Sequence, residues 1–153
     1  MTEEKIGRVL DRMRGLCSRR EYCSADIYGK SLALLDGDEK LASEVLASLV
    51  KDRYVDDLRY ASAFARDKSA ISGWGTVKIR HALFMKSIPR DIIAEALGEI
   101  DADKAQTRLE KLLENKLKSL KDDPQCRFKL LRFGLGRGYT YDEVESAVRR
   151  LMK

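Results

Sequence analysis

Apolar residues recur at three- and four-residue intervals along most of the chain, which is the spacing of a buried helical face. The pattern is densest over residues 56–97, where it predicts three short helices joined by tight connections. Asp56 is placed to cap the first of them. The second is predicted from Thr76 to Lys86, after the loop Gly73-Trp74-Gly75, and Pro89 opens the third. The buried positions of the first helix are predicted to be Leu58, Ala61, Phe64 and Ala65.

Six more helices are predicted around this stretch. They cover 3–16, Arg19–Leu35, the residues after Asp36-Gly37-Asp38, Ala102–Leu120, the residues between Pro124 and Gly134, and the residues after Thr140. Two helix starts match the capping box, in which a hydroxyl and a glutamate three residues later satisfy each other's backbone donors. These are Ser18 with Glu21, and Thr140 with Glu143.

The nine predicted helices fall into three triplets, and the sequence contains a matching repeat. Shifting by 51 positions aligns Ile88–Leu97 with Tyr139–Val148, so that Asp91 falls on Asp142 and Ala96 on Ala147. A single triplet is too small to bury its own apolar faces, whereas stacked triplets share a core. We therefore predict an all-α protein made of three helix-turn-helix-like repeats, 1–55, 56–100 and 101–153. Together they form an elongated array that can be curved.

Composition and charge agree with a helical protein and suggest what it binds. Charged residues make up 36% of the chain, with only 10 glycines and 2 prolines, and the net charge is +5. The positive excess lies in two windows, 66–90 with 6 basic residues and one acid, and 116–137 with 7 basic residues and two acids. Such windows favour a polyanionic partner, or else they are ordinary solvated faces.

The location of the protein is predicted from what its sequence lacks. It has no apolar segment of transmembrane length and no apolar signal core at the N-terminus. The three cysteines are an odd number without metal-ligand spacing, which is typical of free thiols in a reducing compartment. We expect a cytoplasmic monomer without a membrane contact.

Four residues are the candidate partner contacts. Lys129 and Arg132 are three apart, and so neighbours, between two predicted apolar faces of a helix that would lie between neighbouring helices. The 51-residue shift places Lys78 at the position of Lys129. This basic strip is either a contact surface or simply the exposed edge of that helix. Trp74 either fills the gap between its two helices or is an exposed anchor for a partner.

No catalytic or metal-binding constellation is found. His81, the one histidine, has no cysteine, aspartate or second histidine at ligand spacing, and no phosphate-loop or nucleophile-elbow motif occurs. We therefore expect no enzyme activity, metal or cofactor.

The central stretch resembles the RecX family of bacterial regulatory proteins. The resemblance lies in VDDLRYASAFARDK (55–68), GWGTVKIRHAL (73–83) and KSIPRDIIAEAL (86–97), and it continues in GRGYTYDEVESAV (136–148). It implies a three-repeat helical protein that binds the groove of the filament formed by the RecA recombinase on single-stranded DNA. Such a protein limits filament extension, ATP hydrolysis and strand exchange, in DNA repair, homologous recombination and the SOS response.

Two other functions stay open from the residues alone. A helix-turn-helix-like protein could bind DNA directly with weak sequence specificity, although the predicted third helices begin with acidic residues, which disfavours insertion into a groove. The array could also be an inert scaffold for a different protein.

Overall fold

The computed structural model describes residues 2–153, and this part of the chain forms nine α-helices and no strand. The helices are α1 (Thr2–Cys17), α2 (Ser24–Leu34), α3 (Glu39–Lys51), α4 (Asp57–Ala70), α5 (Thr76–Met85), α6 (Arg90–Gly98), α7 (Ala102–Ser119), α8 (Cys126–Gly136) and α9 (Tyr141–Leu151). The all-helical prediction is confirmed. The repeat is visible in the helix limits, because the starts of α6 and α9, and the ends of α5 and α8, are both 51 residues apart.

Four helices, α3, α4, α7 and α9, begin where a short polar side chain caps them. The Asp56 carboxylate accepts a hydrogen bond from the Arg59 backbone N–H at 3.0 Å, and Asp38 does the same for Leu41 at 3.1 Å. Thr140 and Glu143 form the predicted capping box at the start of α9. These starts depend only on residues within one helical turn.

The predicted start of α2 is wrong. This helix begins at Ser24, because Ser18 and Glu21 do not cap each other. The Ser18 hydroxyl donates to the Gly15 carbonyl at 2.7 Å and so satisfies one of the carbonyl groups in the last turn of α1. The Glu21 carboxylate instead accepts from Arg59 Nε of α4 at 2.6 Å. A charged partner from a distant helix thus outcompetes the local capping pattern.

Three hydrophobic clusters fill the interior, and each draws mainly on three consecutive helices. Their buried members include Met13, Ile27, Val45 and Leu49 in the first, Ala61, Ile79 and Leu83 in the second, and Leu109, Leu113, Leu130 and Val144 in the third. The solvent-accessible surface area is 9689 Å², larger than the roughly 7,900 Å² expected for a compact protein of this mass. Three small cores leave more surface exposed than one large core does. Cys23 lies in the predicted first unit, 1–55, but packs in the second cluster. The predicted limits of the three units therefore stay a prediction.

Polar contacts join the first three helices to the second three. Lys86 Nζ donates to Asp26 Oδ1 at 2.9 Å, and the Ser24 backbone N–H donates to Asp57 Oδ1 at 2.7 Å. Burial raises the pKa of Asp26, but hydrogen bonds from Lys86 and Cys23 outweigh it, so the pKa lies below its usual value. The ion pair therefore stabilises the folded state only where Asp26 is ionised.

This pKa shift predicts how the joint responds to acid. A carboxyl whose folded pKa is lowered adds stability above its unfolded pKa of about 3.9, and loses it as the pH falls through the folded value. Asp26→Asn should lower the free energy of unfolding by about 1 kcal/mol or less at near-neutral pH. Urea titrations should show that the difference in free energy of unfolding between Asp26→Asn and the unchanged protein shrinks as the pH falls. The control is Glu114→Gln, which replaces an exposed carboxylate without an ion pair in residues 2–153 and should show no such difference. A difference that is independent of pH would contradict the assignment.

Candidate partner-binding surface

Trp74 is half-buried in the loop between α4 and α5. Its ring packs edge-on against Phe64, with ring centroids 6.2 Å apart, so it extends the second cluster. Two ammonium groups lie close to the same ring, Lys78 Nζ at 4.5 Å and Lys68 Nζ at 4.7 Å from its centroid, which is cation–π distance. The ring therefore fills the gap between its helices and also holds two cations near the surface.

The two predicted basic residues of α8 are both exposed, but their charges differ in availability. Lys129 Nζ donates to Asp123 Oδ2 at 2.5 Å, and this hydrogen bond holds the pKa of Asp123 below its usual value. The Arg132 guanidinium lies 6.0 Å from the centroid of the Phe128 ring and forms no ion pair within residues 2–153. Arg132 is therefore the more available of the two cations.

Helices α8 and α5 meet end to end. The Gly75 backbone N–H donates to the Arg137 carbonyl at 2.9 Å, and the Val77 N–H donates to the Gly138 carbonyl at 2.9 Å. The first N–H groups of a helix have no partner within it, and Gly75 has no side chain to provide one. The end of α8 thus caps α5, and Lys78 lies directly at the contact.

Exposed apolar side chains occupy the same positions in both of these helices. Val77 is 46% exposed and Phe84 57%, while Phe128 is 57% exposed and Leu135 43%. The 51-residue shift places Val77 on Phe128 and Phe84 on Leu135, and each pair, seven residues apart, lies on one face of its helix. We call these four residues, together with Lys78, Lys129 and Arg132, the α5–α8 surface. Repeated exposure of large apolar side chains is typical of an interaction site.

The exposure of Phe128 and Leu135 corrects the prediction that α8 lies between neighbours on two apolar faces. Leu130, which is fully buried, packs into the third cluster with Cys126 and Phe133 beside it, and of the other face only Leu131 packs against this cluster. The 51-residue shift aligns these apolar pairs as it aligns the basic residues, but it also aligns the buried Ile79 with the buried Leu130. Periodicity alone could not say which apolar face is buried.

A groove of about 600 Å³ runs between α5 and α6 and shares Val77 and Phe84 with the α5–α8 surface. Val77, Phe84, Ile93 and Leu97 contribute its apolar walls, and Arg80, His81 and Arg90 contribute its polar ones. No acidic side chain lines it. The groove therefore suits an apolar side chain that a partner presents among acidic neighbours.

The molecule therefore belongs to the class of all-helical repeat proteins, and it exposes apolar and basic side chains at equivalent positions of α5 and α8. Within residues 2–153 no group of three or more potential metal ligands is found, and none of the helices is long and apolar enough to span a membrane.

Comparison with known proteins names the family. A family model described as the second three-helix domain of RecX matches residues 56–97. Regulatory protein RecX of Prosthecochloris aestuarii is 31% identical over 153 residues, covering 99% of both chains. Regulatory protein RecX of Clostridium tetani is 30% identical over 119 residues, covering 75% of this chain and 54% of that relative. The chain belongs to the RecX family, and it spans about half the length of several curated relatives that it matches.

Solved structures show the same fold. The crystal structure of RecX from Lactobacillus salivarius superposes with a TM-score of 0.89, covering 97% of each chain at 20% identity. A second crystal structure of a regulatory protein RecX gives 0.85, covering 94% of this chain and 71% of that one at 22% identity. At these identities the likeness supports the three-repeat helical fold.

Proposed function

We propose that this protein is a regulator of the RecA recombinase that binds the RecA–single-stranded DNA filament through the α5–α8 surface. The observation that carries the proposal is the repetition of Val77 and Phe84 by Phe128 and Leu135, one repeat further along the array. A protein that repeats one contact surface along its length can bind a partner that repeats the complementary surface. A polymer of identical protomers is such a partner. The family membership supports RecA as that polymer.

The mechanism is steric and electrostatic, without catalysis. The apolar pairs would anchor the contact by burial, while Lys78, Arg132 and the polar groups of the α5–α6 groove set its register against acidic filament surface or phosphate. A protein that binds one filament geometry better than another shifts the filament toward it. Bound across neighbouring protomers, this chain would limit filament extension, ATP hydrolysis and strand exchange. It would act as a cytoplasmic monomer.

The test is the single-stranded-DNA-dependent ATPase of the cognate RecA, titrated with this protein far below the concentration of DNA sites. We expect ATP hydrolysis to fall at a small fraction of one molecule per RecA protomer, because one bound molecule affects a run of protomers. Absence of any effect at any ratio would overturn the proposal.

The same titration separates this function from direct DNA binding. If inhibition requires saturation of the DNA and extra DNA relieves it, competition for DNA explains the result and the helix-turn-helix alternative is favoured. The structure speaks against a recognition helix of the usual kind, because the first turns of α6 and α9 contain Asp91, Asp142 and Glu143.

A further inference from the structure

Two half-buried arginines lie at the joint between the second and third clusters of helices. Arg108 of α7 donates through one terminal nitrogen to the Ser69 hydroxyl of α4 at 2.8 Å. Arg137, which caps the end of α8, donates through one terminal nitrogen to the Ser72 carbonyl at 2.6 Å. Both side chains therefore reach from the third group of helices to the end of α4 and the loop after it.

Neither guanidinium has its charge balanced. Arg108 and Arg137 form no ion pair with any carboxylate in residues 2–153, and the buried Nε of each has no hydrogen-bond partner there. Each guanidinium carries five N–H donors, and the contacts described use one apiece. Partial burial of a cation without an anion is costly, so an anionic ligand at this joint would be strongly favoured.

A cavity of about 190 Å³ lies where Arg108 of α7 and Arg137 at the end of α8 meet the loop after α4. Its walls are residues 70–73, Arg108, Lys111, Leu112, Asn115 and Arg137. Three cations and an amide thus line it without a carboxylate. The neighbouring cavity on the other side of Arg108 differs, because Glu99 and Asp101 line it together with Arg66 and Lys104. Of these two cavities that Arg108 lines, only the smaller one has no carboxylate in its wall.

We propose that this cavity is a binding site for a phosphate group, either a free phosphate or one in a nucleic-acid backbone. Guanidinium groups match phosphate oxygens with paired N–H donors, and an oxyanion with three or more oxygens can engage Arg108, Lys111 and Arg137 together. A bound phosphate would tie residues 70–73 to α7 and the end of α8. The site is separate from the α5–α8 surface and does not depend on RecA as the partner.

The test is calorimetric titration of the full chain with inorganic phosphate, at an ionic strength held constant with chloride. We expect one saturable site, and Arg108→Gln should weaken it at least about tenfold because a charge-assisted pair of hydrogen bonds is lost. Lys111→Gln changes an exposed side chain that is not needed for folding, and it should weaken binding several-fold. Arg8→Gln, an exposed arginine on α1, removes the same charge elsewhere and should leave the affinity unchanged.

Two results would overturn the proposed site. One is the absence of saturable phosphate binding. The other is an equal phosphate affinity of Lys111→Gln, Arg108→Gln and Arg8→Gln, because equal affinities would mean that only the overall charge matters. A parallel titration with a short oligothymidylate distinguishes the sources. A backbone phosphate is identified if the oligonucleotide displaces inorganic phosphate and Arg108→Gln weakens oligonucleotide binding. The same variant should then lower the slope of log affinity against log salt concentration by about one. Phosphate binding that the oligonucleotide does not displace identifies a free phosphate.

Discussion

Replacing Gly138 with alanine is expected to lower the free energy of unfolding by about 3 kcal/mol or more. Gly138 has a φ of +95°, which an L-residue adopts only with strain, costing about 1–2 kcal/mol. A Cβ there would also lie 2.3 Å from the Lys78 Cβ, and such overpacking costs typically about 1–3 kcal/mol. The mutation would push α8 away from the N-terminus of α5 and remove the carbonyl caps of that helix.

The matched control is Gly136→Ala, two residues earlier. A Cβ at Gly136 meets nothing within 4 Å, and the residue is helical without a positive φ. It should be neutral, or stabilise by up to about 1 kcal/mol through helix propensity. Urea unfolding followed by far-ultraviolet circular dichroism measures both variants. Equal stability of the two would show that α5 and α8 are not in contact in solution.

Replacing Phe84 and Phe128 together with alanine is expected to weaken inhibition of the RecA ATPase by about a hundredfold. If the two rings occupy equivalent pockets on neighbouring protomers, each truncation removes an anchor worth about 1–2 kcal/mol. Two such losses correspond to about two orders of magnitude in the half-inhibitory concentration. Each side chain is 57% exposed, so the fold and its unfolding midpoint should change little.

The controls for this double variant are Val50→Ala and Met152→Ala. These side chains are 46% and 44% exposed, similar to Val77 and Leu135, but they lie on α3 and beyond α9. They should inhibit as the unchanged protein does. Full activity of the double variant would place the filament contact elsewhere on the molecule, and equal losses in all variants would indicate general hydrophobic association rather than a defined surface.

How far the sequence predicts this protein can be seen at the helix ends. The starts of α3, α4 and α9 follow from Asp38, Asp56 and Thr140, because a cap is made between residues three positions apart. The start of α2 does not follow from Ser18 and Glu21. Glu21 pairs with Arg59, 38 positions away, and no local pattern contains that distance. The predictions thus hold where no distant side chain competes for the capping residues.

The candidate surface divides in the same way. The repeat predicts Lys78 and Lys129 at equivalent positions, with Arg132 beside Lys129, and all three are exposed. Whether they contact a partner stays a prediction. Phe128 and Leu135 lie on one of the two apolar faces of α8 that the sequence predicts to be packed against neighbours, because periodicity does not distinguish a buried apolar face from an exposed one. Only the packing of Leu130 into the third cluster decides this.

The helices, the local caps of α3, α4 and α9, the 51-residue repeat and the two basic windows follow from the amino-acid sequence, because each depends on residues within a turn or on comparison of the chain with itself. Tertiary packing is needed to explain the end-to-end contact through Gly75 and Gly138, the exposure of Phe128, and the meeting of Arg108 with Arg137 at one cavity. These features arise between helices that are far apart in the chain. Their positions depend on how whole apolar faces pack together, which the spacing of residues along one helix does not specify.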